Sequence, residues 1–163
     1  MSAELERREL DALAEHWRDA WAGGGFGRCC TPDVSYEDPV AVGPLSGVDA
    51  VERHAASVRS AFPDLRLEPT SPPLGRAPHA CFPWRALGTH RGEVSAMLPA
   101  TDRFVTLHGL HYVEISDGLI RRARGFFDLY DAAQQLGLLP ARGGLGETAM
   151  LLLRGFGLRR RPA

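Results

Sequence analysis

The chain has 163 residues, a length that favours one domain large enough to bury a real core. Its net charge of −1 gives no broad basic footprint for nucleic acid, apart from the short Arg159–Arg161 run at the end. Three cysteines, of which Cys29 and Cys30 are adjacent, make no disulfide framework and read as reduced thiols of a cytoplasmic protein.

The N-terminal stretch MSAELERREL is charged and lacks the apolar segment of a signal peptide. No apolar run approaches the length of a membrane span. Leu10, Leu13, Ala14, Trp17 and Trp21 recur at helical spacing and predict an amphipathic helix over 3–22. Ser2 is placed to cap it, and Gly23-Gly24-Gly25 ends it. Residues 26–31 suggest a short second helix, weakened by glycine.

Residues 34–39 read as a short strand that stops at Pro39, with Tyr36 and Asp38 on one face and Glu37 on the other. After the loop AVGPLSG, a helix runs to Phe62 with Val51, Ala55, Val58 and Phe62 as its apolar stripe. Residues 65–68 are a strand, SPPLGRAPH a loop, and 80–90 a further strand in which Pro83 implies a bulge or an edge. Its alternation groups Phe82, Trp84, Ala86 and Gly88 on one face; residues 93–98 offer it a hairpin partner.

The dominant element is a long hairpin over 104–128 turning at Asp117-Gly118. Alternation places Leu107, Gly109, His111 and Val113 on one side of its first arm. Arg122, Arg124, Phe126 and Asp128 form one set on the return arm. A closing helix over 131–139 stops at Pro140, ARGGLG links, and 147–156 forms a last, mostly apolar helix. The order gives an α+β class, a curved antiparallel sheet wrapped around helices, with an apolar cavity at its mouth. The expected division is a domain over 1–140 and a helical extension with a basic tail over 141–163.

The ordered set EDPVAVGPLSG, AFPDLRLEP, GTHRGE, DGLI and FFD…QQLGLLP resembles the SnoaL-like polyketide cyclases. These belong to the nuclear transport factor 2-like superfamily, with the ketosteroid isomerases and limonene epoxide hydrolases. The resemblance covers roughly residues 8–140 and implies a cone-shaped barrel, a deep apolar pocket, a homodimer and no metal or organic cofactor. It implies an apolar small-molecule substrate and an aldol-type cyclisation in secondary metabolism. Asp128 looks like the acid/base of the cyclases, and Asp38 like the general base of the isomerases. Trp17 and His111 fall where isomerases hold the oxyanion with Tyr and Asp, a departure that argues against steroid isomerisation. His108 and His111 stand where epoxide hydrolases of this fold carry part of an Asp-Arg-Asp set.

Proton abstraction beside a carbonyl needs a carboxylate or histidine in a dry site and a donor for the enolate oxygen. Asp38, His111 and Asp128 are therefore the candidate catalytic residues, and Trp17, Trp21, Tyr36, Phe62, Trp84 and Phe126 the candidate substrate wall. Each has a plainer alternative: a turn cap for Asp38, a helix N-cap for Asp128, a wall histidine for His111, and packing for the tryptophans. His16 and His54 are assigned to helix surfaces, and His90 and Glu93 to a solvated turn. His108 and His111, three apart on a strand, face opposite sides, so zinc is discounted. The last helix packs on a dimer partner, frays, or lies on a membrane surface, the first two being preferred. A non-catalytic ligand binder, or an isomerase or epoxide-opening enzyme, are the alternative functions.

Overall fold

The computed structural model describes residues 3–93 and 99–154. The helix α1 (Ala3–Asp19) continues through a wider turn over 20–24 and is broken at Gly23, whose φ of 106° suits glycine. Its stripe of Leu10, Leu13, Trp17, Ala20 and Trp21 is buried, as the spacing requires. A single short turn (Phe26–Arg28) stands where the weak second helix was expected. The cap at Ser2, the Phe156 end of the last helix and the arginine tail lie outside the described residues.

Seven strands follow: β1 (Cys30–Glu37), β2 (Leu45–Ser46), β3 (Arg66–Pro69), β4 (Leu74–Arg76), β5 (His79–Thr89), β6 (Phe104–Ser116) and β7 (Leu119–Phe127). They form one sheet in the order β2-β1-β7-β6-β5-β3, with β4 also on β5. The sheet is mixed, because β1 runs parallel to β7. With α1, α2 (Val48–Ala61), α3 (Leu129–Gln135) and α4 (Leu145–Leu153), the architecture is α+β. The core joins α1 and α2 to one sheet face through Trp17, Val51, Ala55, Val34, Val113 and Ile120.

The β6–β7 hairpin turns on Asp117 and Gly118, both at positive φ (51° and 77°), the geometry that favours an Asp-Gly pair. β5 pairs with β6 over the whole run from His79↔Glu114 to Thr89↔Phe104, where a hairpin with residues 93–98 was expected. Most of that proposed partner, 94–98, lies outside the described residues. SPPLGRAPH contains a strand after all, since β4 pairs Leu74 with Cys81. Pro83 makes no bulge against β6, and β5 is not an edge. The proline falls where β3 has ended at Trp84 and β4 begins at Cys81, so no ladder bond is lost there.

Two further expectations change. The closing helix starts at Leu129 and ends at Gln135, with Gly137 at φ 77° rather than Pro140 turning the chain. His90 is fully buried, not solvated. Its Nδ1 accepts from the Thr101 backbone N–H (3.2 Å), and its ring lies 5.2 Å from Phe62. His90 thus fastens the two ends of the connection from β5 to β6. No helix among the described residues is long and apolar enough to cross a membrane. The leucines of α4 are largely exposed, and Glu147 ties the helix back to the Tyr130 hydroxyl (3.0 Å).

Candidate active site

Asp38 sits one residue beyond β1, where Pro39 ends the pairing. Its two oxygens have different tasks. Oδ1 accepts from the backbone N–H groups of Val40 (2.8 Å) and Ala41 (2.7 Å), closing the turn. Oδ2 accepts from the Tyr36 hydroxyl (3.0 Å) and from His54 Nε2 (2.7 Å). The Asp38 side chain is only 4 % exposed. Turn cap and charged site member are therefore both true of this residue, one per oxygen.

Alternation along β1 brings Tyr36 to the same face as Asp38, and Tyr36 is buried. Its hydroxyl also lies 3.4 Å from His111 Nε2. His111 reaches the cluster from the middle of β6, opposite Gly125 on β7. A Cβ at position 125 would stand 3.0 Å from Asp38 Cβ and from the Tyr36 hydroxyl. Glycine there makes room for the cluster. Trp21 stacks on His111 with centroids 5.5 Å apart, Trp17 meets it edge-on at 5.3 Å, and Trp84 lies at 5.4 Å. Trp84 in turn lies across Gly109, where any side chain would collide with its ring.

This setting separates the protonation states. Burial drives the Asp38 carboxyl upward, but the His54 pairing and the two backbone N–H groups outweigh it and hold the group below its usual range. Burial, and then the neighbouring carboxylate, raise the Tyr36 phenol well above its usual value. Burial pulls His111 down to about 3, against the opposing attraction of Asp38. At neutral pH the cluster is thus a carboxylate beside a protonated phenol and a neutral imidazole. The ionised carboxylate only accepts, so Tyr36 gives its hydrogen to Asp38. His111 Nε2 then donates to Tyr36, and its Nδ1 is a bare acceptor without a partner among the described residues.

The cluster borders a hollow with two chambers. The smaller, about 120 Å³, is walled by Trp21, Tyr36, Asp38, Trp84 and His111 together with aliphatic side chains. The larger, about 630 Å³, opens between α2, α3 and the 40–45 loop and carries Arg53, His54 and Ser57 on an otherwise apolar wall. Val40, Val58, Phe62, Val105, Leu107 and Phe127 border both. The larger chamber has the size of an ordinary small-molecule site.

The structure thus gathers Asp38, His111, Trp21, Tyr36, Phe62 and Trp84 around one space. Trp17 is packed one layer behind and borders a separate void of about 40 Å³. Phe126 points outward and is 47 % exposed; Phe127, its neighbour, is the wall residue. Asp128 borders neither chamber. It caps α3, with Oδ1 accepting from the Asp131 N–H (3.0 Å), and its half-exposed side chain lies 3.5 Å from Arg142. His54, expected on a helix surface, is instead turned inward onto Asp38. The signal was present: 51, 54, 55 and 58 share one face of α2.

A model of the SnoaL-like polyketide cyclases matches residues 8–136. No curated protein matches the chain. Among solved structures, TsrD from Streptomyces laurentii superposes with a TM-score of 0.70 at 23 % identity, covering 82 % of this chain and 98 % of TsrD. A protein of ketosteroid isomerase-like fold from Catenulispora acidiphila gives 0.64 at 14 % identity, covering 77 % and 92 %. TerC, co-crystallised with polyporic acid, gives 0.59 at 18 %, covering 80 % and 96 %. At these identities the likeness is one of fold.

Proposed function

The chain belongs to the SnoaL-like polyketide cyclase family, and from that we propose an acid–base enzyme that closes a ring in an apolar, carbonyl-bearing molecule of polyketide type. The observation that carries this reading is the buried Asp38 carboxylate on the wall of the smaller apolar chamber, hydrogen-bonded to Tyr36 and to His54, which lines the larger one. The reaction is an intramolecular aldol-type step. A C–H next to a carbonyl gives its proton to the cluster, and the resulting enolate attacks a second carbonyl. The alkoxide so formed is then reprotonated.

An apolar wall excludes water and strengthens the field of the charges left inside. The Tyr36 hydroxyl is the donor that can turn from Asp38 toward an oxygen that gains charge, with His111 Nε2 supporting it from behind. Trp21, Phe62, Trp84 and Phe127 hold the apolar rings of the substrate. Asp128 leaves the proposal, because its geometry is that of a helix cap. The presence of polyporic acid in TerC is in keeping with an organic ligand in this fold.

The test is α-proton exchange. An aryl 1,3-diketone and a polycyclic aromatic β-keto ester are incubated in D2O and followed by NMR. Wild-type protein should accelerate exchange, and Asp38→Asn should abolish the acceleration with an unchanged circular dichroism spectrum. No acceleration with any member of such a panel refutes the enzyme. A non-catalytic binder is the second reading, favoured by the fact that protein donors already occupy both Asp38 oxygens. A ligand that raises the melting temperature and is recovered unchanged supports it.

A further inference from the structure

Within the acid–base function proposed above, on which this step rests, we infer that His54 is the catalytic residue that takes and returns the proton. Asp38 is its positioning partner, and the ligand's reacting carbon lies in the larger chamber.

A base needs a free lone pair. A carboxylate offers about four acceptor positions. At Asp38 the Val40 and Ala41 N–H groups, the Tyr36 hydroxyl and His54 Nε2 take all of them. The carboxylate also borders only the chamber of about 120 Å³, too small for more than the end of a polycyclic molecule.

His54 is placed the other way. Its Nε2 faces an acceptor-only group and therefore carries the hydrogen. With Nε2 holding the hydrogen, the base form of the ring has its lone pair on Nδ1. That nitrogen makes no hydrogen bond among the described residues, and it is not among the sealed, unpartnered polar atoms. The ring is on the wall of the 630 Å³ chamber, with Ser57 one turn further along the same helix. An edge contact from Trp21 (6.1 Å) and a tilted one from Tyr36 (5.8 Å) limit its rotation.

The step balances within this pair. The C–H bond beside the carbonyl breaks, its electrons remain as the enolate, and the proton passes to Nδ1. The Asp38 carboxylate, 2.7 Å away on the far side of the ring, stabilises the imidazolium that forms. The enolate carbon bonds to the second carbonyl carbon. Nδ1–H then protonates the new alkoxide, and the ring is neutral again.

A purely structural role would have His54 tie the 38–41 turn to α2 and nothing more. Three variants separate the two in the diketone exchange assay. His54→Ala should lose roughly 10²- to 10⁴-fold in rate, and added imidazole should restore part of it in proportion to its concentration. His54→Gln keeps a donor for Asp38 but has no basic nitrogen, and should fold normally and stay slow. Asp38→Asn should be slow and gain nothing from imidazole. In wild-type protein, ¹⁵N NMR should show Nε2 protonated and Nδ1 bare. Full activity in His54→Gln overturns the proposal, since only the hydrogen bond would then matter. Full activity in His54→Ala with a dead Asp38→Asn also overturns it, and gives the proton to Asp38 itself while the enzyme reading survives. An inactive wild-type protein ends both.

Discussion

Acidification from pH 7 to pH 4.5 should remove about 2.5 kcal/mol of folding stability through His111 alone. The ring is 4 % exposed and packed among Trp17, Trp21 and Trp84. Burial lowers its pKa to about 3, whereas the unfolded chain titrates near 6.5. The native pKa is the depressed one, so between these values the unfolded state binds a proton that the native state refuses. Stability therefore falls as pH falls, by about 1.4 kcal/mol per unit once the unfolded histidine is fully protonated. Asp38, also lowered, loses stability in the same direction, but its loss starts near pH 5, where an unfolded aspartate begins to take up protons, and amounts to only about 0.1 kcal/mol by pH 4.5. The interval from 7 to 4.5 therefore isolates the histidine. The assay is urea unfolding at half-unit pH steps for wild-type protein and His111→Gln. The amide can still reach Tyr36 and cannot titrate, and every other histidine is common to both proteins. The two stability curves should converge by about 2.5 kcal/mol on acidification. Parallel curves would refute the claim that this imidazole is neutral and sealed.

Gly125→Ala should destabilise the protein by roughly 1–3 kcal/mol and slow exchange, because its Cβ enters the space of Asp38 and Tyr36; wild-type stability and rate would mean the cluster has slack. Asp38→Ala should cost roughly 3–5 kcal/mol, since buried Tyr36 and the His54 N–H lose their acceptor. A double-mutant cycle with His54→Ala should show a coupling above roughly 1 kcal/mol, and additive losses would deny the pair. Asp128→Ala should lose roughly 1 kcal/mol of cap energy, whereas Asp128→Asn keeps both stability and exchange rate; a slow Asp128→Asn would return that residue to the site.

The elements that bury one continuous stripe were legible in sequence. Leu10 to Trp21 and Val51 to Val58 repeat at helical spacing, and both stripes are in the core. Alternation also put His111 and His108 on opposite faces of β6, and the structure buries the first against α1 and exposes the second. What the pattern lacked was pairing. Neither the β4 contact with β5 nor the parallel match of β1 to β7 has a local signature, since each depends on segments brought together by the rest of the chain. The site suffers from the same gap: Tyr36 and His111 are 75 residues apart, and Asp38 and His54 are 16 apart.

Period-two alternation nevertheless contained a correction that family likeness obscured. On β7 it groups Arg122, Arg124, Phe126 and Asp128, and three of these cannot be buried together without partners. Two arginines on a face send that face to water, and Phe126 and Asp128 go with them. The complementary set, Ala123, Gly125 and Phe127, must then face the helices. Its first two members are small, and small residues facing a core imply that something large from elsewhere occupies the space. Here the occupants are Tyr36, Asp38 and His111 at Gly125. The same reasoning applies at Gly109, which Trp84 covers from the adjacent strand. Two inward glycines on neighbouring strands thus outline the floor of the candidate site, on which Tyr36, Asp38, His111 and Trp84 converge and which His54 meets from α2.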